Sequence, residues 1–310
     1  MATLKVLITG AAGYIGHLVG NELQAQCEVV GIDIRGNDAA HFPIHHMDIN
    51  SPELANWFAA QQFTHVVHLA SVLDASPNRQ RDFQIDVCGT ENVLRASLAS
   101  GVQHITVTSS GAAYGYHPDN AAWLSESDPL RGNEEFAYSW HKRLVEEMLA
   151  DYRQKHPQLK QLVLRPGTVL GSHTRNLITR LFMKNRILTI RHCASPFVFI
   201  WDEDVVRIIK RGVSDSKTGI YNLAGDDALT LQEIALRLGK PTLNVPAWLL
   251  QALLWLGWRL RMTRYGPEQL KFLRYRPVLS NDALKRDFGY VPQKTSAEVF
   301  QLFCDHIQEQ

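Results

Sequence analysis

A serine, a tyrosine and a lysine stand at spacings that suit proton transfer to a carbonyl or hydroxyl oxygen. Ser110 follows an apolar strand pattern, and Tyr138 and Lys142 lie four residues apart in a helical pattern. Residues four apart share one face of a helix. Because an ammonium near a phenol favours the phenolate, we expect Lys142 to lower the pKa of Tyr138. Ser110, at the carboxyl end of its strand, is placed to bind the same substrate oxygen.

A glycine-rich turn near the start of the chain is typical of a dinucleotide site. The apolar strand pattern over residues 4–9 leads into Gly10, Gly13 and Gly16, and a helical pattern follows. The first glycine permits a tight turn, the second lets the backbone approach a pyrophosphate, and the third allows close helix packing. The N–H groups that begin the helix favour the phosphates. Asp33, which ends the next strand, is placed for the ribose hydroxyls.

Strands and helices alternate along the first half of the chain, and this alternation predicts the fold class. Apolar strands arranged in this way form a parallel sheet covered on both faces, with ligands at the carboxyl ends of the strands. We therefore predict an α/β protein, a Rossmann-type doubly wound parallel sheet with a smaller C-terminal substrate-binding lobe. The predicted strands span 4–9, 28–33, 65–70, 103–109 and 160–165, and the predicted helices lie near 14–26, 51–61, 83–101 and 135–155.

The alternation ends after Pro166, which predicts the domain boundary. We assign 1–167 to the dinucleotide-binding domain, with returning segments near 197–224 that include short strands at 197–201 and 219–223. The remainder of 168–310 is assigned to the substrate-binding lobe.

Composition argues against several classes of function. With 310 residues, a net charge of +1 and 45% hydrophobic residues, the chain can build a large core and shows no bias toward nucleic acid. Its four scattered cysteines favour a reduced, cytoplasmic setting over disulfides or a zinc site. His45 and His46 are neighbours on a strand pattern and point to opposite faces, so we predict no metal site. The strand at the N-terminus leaves no room for a signal peptide.

These features together resemble the extended short-chain dehydrogenases/reductases, and in particular the NAD-dependent epimerase/dehydratase family. The resemblance implies an enzyme that acts on a secondary alcohol or ketone. It spans nearly the whole chain and rests on TGAAGYIG at 9–16, Asp33, HLAS at 68–71, VTSSGAAYG at 107–115, YSWHK at 138–142, LRPGTVLG at 164–171, NLAGDDALTLQEIA at 222–235 and DFGYVPQKT at 287–295.

The resemblance implies a role for each matching residue. Tyr138 is the general acid/base, Lys142 lowers its pKa and binds the nicotinamide ribose, and Ser110 holds the reacting oxygen. Asp48 meets the adenine edge, and Pro166 flanks the nicotinamide. The implied cofactor-binding residues are Gly10, Gly13, Tyr14, Ile15, Gly16, Asp33, Ile34, Arg35, Asp48, Ile49, Leu69, Ala70, Ser71, Thr108, Tyr138, Lys142 and Pro166.

The residues after the second strand predict the form of the cofactor. Asp33 favours NAD over NADP, because a carboxylate repels a 2′-phosphate. Arg35 follows two residues later and weakens this preference, although we interpret it as a solvated turn residue.

Three departures from the family pattern bear on cofactor and substrate. Asp86 stands where many members that act on nucleotide sugars have an asparagine, and Trp140 and His141 replace small residues. The segment 194–199 lacks the arginine that often precedes the corresponding strand. Its absence removes an expected phosphate clamp and weakens the case for a nucleotide sugar.

Two segments near the C-terminus admit more than one interpretation. Residues 248–260, WLLQALLWLGWRL, are too short to span a membrane, which takes about 20 residues. We favour a buried helix that lines the substrate lobe over an interfacial helix. The basic run that follows suits a substrate diphosphate or a membrane surface, but we favour a solvated helix face. Its cations are Arg259, Arg261, Arg264, Lys271, Arg274 and Arg276.

Three functions follow from these observations. The leading prediction is an epimerase or dehydratase that acts on a nucleotide sugar. The Trp- and Leu-rich lobe favours a net dehydrogenase or reductase of an apolar substrate, similar to the hydroxysteroid and dihydroflavonol branches. The third, a non-catalytic NAD(P)-binding sensor or assembly protein, is disfavoured by the intact Ser110, Tyr138 and Lys142. The family also implies a homodimer formed through the helices near 83–101 and 135–155.

Overall fold

Seven parallel strands form the central sheet of the computed structural model, which describes residues 4–74, 76–263 and 266–308. The strands are β1 (Lys5–Thr9), β2 (Glu28–Asp33), β3 (Ile44–His46), β4 (His65–His68), β5 (His104–Thr108), β6 (Lys160–Pro166) and β10 (Gly219–Leu223). Their order across the sheet is β10-β6-β5-β4-β1-β2-β3. From β1 the chain adds β2 and β3 on one side of the sheet, and from β4 it adds β5, β6 and β10 on the other side. The direction of winding therefore reverses between β1 and β4. The predicted Rossmann-type fold is confirmed.

Helices cover both faces of this sheet. Alternate residues of β1 point to opposite sides: Val6 and Ile8 pack with α1 and α7, and Leu7 packs with α2, α4 and α5. A single π-helical turn, Gln84–Cys88, separates α3 from α4 where we predicted one continuous helix. These helices are α1 (Tyr14–Leu23), α2 (Leu54–Gln61), α3 (Arg79–Phe83), α4 (Gly89–Ala99), α5 (Ala137–Lys155) and α7 (Asp202–Ser214).

The remaining elements pack beside the carboxyl edge of the sheet. Strand β7 (Thr168–Leu170) pairs with β9 (Phe199–Trp201), and β8 (Ile187–Ile190) pairs with β11 (Thr242–Val245). Of the two predicted returning strands, therefore, β10 joins the central sheet and β9 does not; the division into domains stays a prediction. The helices here are α6 (Leu177–Phe182), α8 (Leu231–Arg237), α9 (Ala247–Arg259), α10 (Gln269–Arg274) and α11 (Ser296–Gln308).

Helix α9 is not the buried helix that we predicted. Within it Leu250 is buried, whereas Trp248 is 70% exposed and Trp255 and Trp258 are each 52% exposed. The prediction was wrong because a short apolar run is buried only if other elements surround it. Here one side of the helix packs against a small cluster around Ile190 and Leu270, and the other side is exposed. Within the described ranges, no helix combines the length and apolar character needed to cross a bilayer. Arg264, part of the predicted basic run, lies outside the described residues.

A buried ion pair holds α5 against the ends of β5 and β6. Nε of Arg165 lies 2.8 Å from Oε1 and 3.0 Å from Oε2 of Glu146, and both side chains are almost fully buried. Burial alone would lower the pKa of Arg165, but the hydrogen bonds and charge of Glu146 raise it above its usual value. The hydroxyls of Ser109 and Tyr114 complete the network: Ser109 donates to Glu146, and Tyr114 accepts from Arg165.

Replacing Glu146 tests how strongly this pair supports the fold. We expect Glu146→Gln to lower the free energy of unfolding by about 3–5 kcal/mol, because it leaves the Arg165 guanidinium buried without its counter-charge. Urea unfolding at neutral pH measures the change. Glu147→Gln is the matched control, since Glu147 is an exposed neighbour paired with Arg143, and its loss is expected below about 0.5 kcal/mol. Equal effects of the two substitutions would refute a special contribution from the buried pair.

Candidate active site

The turn between β1 and α1 presses its backbone against the end of β4. Gly10 has φ +70°, and a Cβ there would lie 2.7 Å from the backbone nitrogen of Ala70. A Cβ at Gly16 would lie 2.2 Å from the carbonyl oxygen of Gly10. Side chains at these positions would push the helix, the turn and β4 apart. The turn therefore lies at the reversal of winding between β1 and β4, with the open backbone cradle that a pyrophosphate requires.

Asp33 is fixed at the carboxyl end of β2 by the backbone. The N–H of Ala12 donates to Oδ2 and the N–H of Arg35 donates to Oδ1, each at 3.0 Å. The Arg35 side chain extends into solvent, and its Nε is 3.9 Å from Oδ1. The arrangement leaves a buried carboxylate facing the cavity, which suits ribose hydroxyls and opposes a 2′-phosphate.

One large cavity brings all the predicted site residues together. Its volume is about 920 Å³, at the upper end of the range usual for ligand pockets. The glycine turn and Asp33 line one end, and Ser110, Tyr138 and Lys142 line the wall beyond. The other predicted cofactor residues that line it are Tyr14, Ile15, Ile34, Arg35, Asp48, Ile49, Leu69, Ala70, Ser71, Thr108 and Pro166.

Ser110, Tyr138 and Lys142 form a compact group in this cavity. The Ser110 hydroxyl is close enough to the Tyr138 phenol to act on its pKa. Nζ of Lys142 lies 5.6 Å from the centre of the Tyr138 ring and donates to the carbonyl oxygen of Thr108 at 3.0 Å. The expected lowering of the Tyr138 pKa is not found: burial raises the pKa to about 12, against a partial lowering by Ser110. Burial also lowers the pKa of Lys142, and the nearby carboxylates of Asp86 and Glu146 oppose this.

Two of the departures from the family pattern contact each other. Nδ1 of His141 lies 2.8 Å from Oδ2 of Asp86, and each side chain is 3% exposed. The other carboxylate oxygen accepts from the Ser71 hydroxyl at 2.9 Å and from the Val72 N–H at 2.8 Å. Burial would raise the pKa of Asp86, but His141, the Lys142 charge and these hydrogen bonds hold it below its usual value. The pair therefore ties the wall of the cavity to α5 between Tyr138 and Lys142.

Arg276, which the sequence analysis named only as one cation of a basic run, lines the cavity. Its Cζ lies 4.0 Å from the ring centre of Phe197 and 4.3 Å from that of Phe272, and all three residues line the cavity. Nη1 is buried, with no hydrogen-bond partner among the described residues. Burial lowers the pKa of Arg276 to about 10, although the Tyr116 phenol opposes the shift. A charged guanidinium that lines a cavity is suited to bind an anion.

Other predicted site residues have structural partners of their own. The Tyr14 hydroxyl donates to Asp202, at the start of α7, and burial together with Asp202 raises the pKa of Tyr14 above its usual range. Three further arginines line the cavity without having been predicted: Arg81 and Arg175, which are exposed, and Arg180, which pairs with Asp74. His45 and His46 are exposed on β3, and the described part of the chain contains no group of three or more metal-ligating side chains.

Known proteins share this chain's fold and part of its sequence. The model of the NAD-dependent epimerase/dehydratase family matches residues 6–224. UDP-glucose 4-epimerase of Erwinia amylovora is 29% identical over 189 residues, which is 55% of each chain. An uncharacterised protein of Mycobacterium tuberculosis is 22% identical over 309 residues, covering 95% of this chain and 82% of its own. The crystal structure of UDP-glucose 4-epimerase from Thermus thermophilus with NAD has a TM-score of 0.76 and 24% identity, covering 98% of this chain and 99% of its own.

The buried Asp86–His141 pair predicts a pH-dependent contribution to stability. Because the pKa of Asp86 is below its ordinary value, its ionised form stabilises the fold above about pH 4, and this is lost as the pH falls through the folded-state pKa. We expect Asp86→Asn to lower the free energy of unfolding by about 1–3 kcal/mol at neutral pH, with a smaller deficit below about pH 4.

Urea unfolding across this pH range measures the deficit, and Asp151→Asn is the control. Asp151 lies on the exposed face of α5, paired with Lys155, so its replacement is expected to change little. A deficit for Asp86→Asn that stays constant with pH would show that the charge of Asp86 is not what stabilises the fold.

Proposed function

Because the chain belongs to the NAD-dependent epimerase/dehydratase family, we propose that this NAD-dependent enzyme acts on a secondary alcohol or ketone of a nucleotide sugar. In this proposal Tyr138, Lys142 and Ser110 assist the transfer of a hydride, as in an epimerase or dehydratase. The observation that carries the proposal is that these three residues face the same cavity as the Gly10 turn.

Tyr138 holds the proton that the substrate oxygen takes up. With a pKa of about 12 the phenol is protonated at neutral pH, so it can donate to a ketone oxygen. Ser110, which lines the cavity beside the phenol, orients the same oxygen. Donation leaves a phenolate, which the Lys142 ammonium stabilises. Removal of a proton from an alcohol is the reverse transfer, in which this phenolate takes up the proton and becomes the phenol again.

The cavity residues fit the cofactor. NAD, when bound, takes up and returns the hydride. The cradle of Gly10, Gly13 and Gly16 receives the pyrophosphate, and the oriented Asp33 carboxylate receives ribose hydroxyls. An ammonium has three donors, and Lys142 uses one on the Thr108 carbonyl, so donors remain for the second ribose.

The position of Arg276 in the cavity supports the proposal that the substrate carries phosphate. We expected the missing arginine before Phe197 to weaken the case for a nucleotide sugar, but a guanidinium from the end of α10 stacks on the Phe197 ring. This guanidinium, which lines the cavity, is placed to bind a diphosphate. The relatives agree with this choice: the Erwinia amylovora and Thermus thermophilus proteins are UDP-glucose 4-epimerases.

The apolar side of the cavity keeps a second candidate open. Leu177, Ile178, Val198 and Phe272 line it, and such a wall also suits a net dehydrogenase of an apolar hydroxy or keto substrate. The two reactions differ in the cofactor. A net dehydrogenase accumulates reduced cofactor, which its near-ultraviolet absorbance reports, whereas an epimerase returns the hydride to the substrate.

We also propose the roles of the larger units. The elements after Gly167, apart from the returning segment near 197–224, form the substrate-binding lobe, since they supply Phe272 and Arg276 to the cavity. Helices α4 and α5 pack side by side on one face of the sheet, and we propose that they pair two copies into a homodimer.

Tyr138→Phe tests the proton transfer. We expect kcat for UDP-glucose epimerisation to fall by about 10²- to 10⁴-fold, because the variant lacks the hydroxyl that moves the proton. NAD should still raise the melting temperature, because mass action requires only that the folded state bind it. Tyr152→Phe, on the same helix and outside the cavity, is the control and should keep wild-type turnover. A Tyr138→Phe variant with wild-type turnover would eliminate the proposed acid/base.

Arg276→Gln tests the diphosphate. Loss of a charge-assisted hydrogen bond worth about 1.5–3 kcal/mol should raise KM for UDP-glucose by about 10- to 100-fold, with kcat and NAD affinity little changed. Steady-state kinetics at saturating NAD measure the effect. Lys271→Gln is the control, since Lys271 is exposed on α10 and pairs with Glu135 outside the cavity. An unchanged KM for Arg276→Gln would argue against a phosphate-bearing substrate.

A further inference from the structure

Helix α9 presents an apolar surface that no other described element covers. It packs on α10 and β8 through Leu250 and Leu254. Three of the seven tryptophans of the chain lie in this helix. A continuous apolar patch of this kind marks an interaction site on a folded protein. Its exposed apolar side chains are Trp248, Leu249, Leu253, Trp255, Leu256 and Trp258.

Two chain segments beside α9 carry lysines and arginines but no aspartate or glutamate. Residues 175–201 include five lysines and arginines, residues 234–263 include four, and neither segment has an aspartate or glutamate. The pairing of β8 with β11 joins the two segments, and the N–H of Arg191 donates to the Val245 carbonyl at 3.0 Å, two residues before α9 begins. Arg186, Arg191, Arg259 and Arg261 are exposed and form no ion pair with the described residues.

We propose that α9 and these arginines bind the surface of an anionic lipid bilayer. Tryptophan rings concentrate at the level of the lipid headgroups, where one edge is apolar and the other is hydrated. The leucines of the same face enter the boundary with the acyl chains, and arginines contact anionic headgroups. With 13 residues the helix is too short to cross the hydrocarbon, so it lies in the plane of the interface.

Charge favours a lipid surface over a second copy of the chain on this face. In a twofold dimer the same patch meets itself, so the cations of one copy would face the cations of the other. Like charges brought together in this way cost several kcal/mol, and these segments offer no carboxylates to neutralise them. An anionic membrane supplies the missing negative charge.

Helix α10 connects this surface to the substrate side of the cavity. Leu270 and Leu273 pack with α9, whereas Phe272, between them, lines the cavity beside Arg276. Binding through α9 therefore places the substrate end of the cavity, rather than the Gly10 end, near the lipid.

Co-sedimentation of the full chain with vesicles tests the proposal. We expect binding to vesicles of about one-third phosphatidylglycerol in phosphatidylcholine, weaker binding to phosphatidylcholine alone, and release at about 0.5 M salt, where charges are screened over a few ångström. Bound protein should show a blue shift of tryptophan emission. Failure of the wild type to sediment with the anionic vesicles would overturn the proposal.

Variants separate the contributions of the apolar face and of the arginines. Trp255→Glu with Trp258→Glu should weaken vesicle binding by at least about tenfold, because it places charge on the inserted face. Arg259→Gln with Arg261→Gln should weaken binding to anionic vesicles and leave binding to neutral vesicles unchanged. Trp123→Glu is the matched control, since Trp123 is 48% exposed and lies outside this surface.

Two further measurements make the outcome unambiguous. A rise in melting temperature with NAD shows that each variant is folded, and light scattering after gel filtration gives its oligomeric state. Wild-type vesicle binding by Trp255→Glu with Trp258→Glu would refute the proposal. A second outcome would also refute it: the wild type forms an oligomer that does not bind vesicles, and the oligomer dissociates in this variant. Helix α9 would then be a contact between copies of the chain.

Discussion

Two opposite charges buried beside each other, Glu146 and Arg165, fix where the proposed reacting groups lie. Glu146 follows Tyr138 and Lys142 at intervals of four residues, so all three side chains leave the same face of α5. The ion pair holds that face against the carboxyl ends of β5 and β6. Since Ser109 donates to the same carboxylate, the strand end that presents Ser110 is fixed by the same contact. A helix free to slide by a fraction of a turn would separate Ser110 from Tyr138.

The Asp86–His141 contact explains two departures from the family pattern as one. A buried aspartate alone would leave one carboxylate oxygen without a partner, and a buried histidine alone would lack a partner for its ring nitrogen. Together they satisfy each other at 2.8 Å and leave an oxygen to hold Ser71 and Val72. The π-helical turn at Gln84–Cys88 contains Asp86, where the helix departs from regular geometry. The aspartate at position 86 and the histidine at position 141 are therefore explained only when the two residues are considered together.

The sequence predicts the parts of this molecule that depend on local pattern. The five strands of the predicted sheet and the four helices around it occur within a few residues of their expected bounds, because apolar runs, glycines and helical periodicity are local signals. The spacing of Tyr138 and Lys142 and the order of the glycine turn and Asp33 likewise predict one cavity.

What the sequence did not predict depends on contacts between distant residues. Arg276 meets Phe197, 79 positions earlier, only after α10 has packed against the lobe, and no periodicity encodes that meeting. The apolar run of α9 predicted burial, but exposure is decided by what surrounds a helix. The predicted direction of the Tyr138 pKa shift was wrong for a similar reason, since burial of the phenol, which depends on its neighbours in the fold, raises that pKa.

The place of Arg276 between two aromatic rings restricts which cation can serve there. The burial that brings the pKa of its guanidinium to about 10 would act on any basic side chain at this position. The pKa of a lysine amine starts about two units below that of arginine, so the same burial would bring it lower than that of the guanidinium. Arginine therefore keeps its charge between the two rings over a wider range of pH than lysine would.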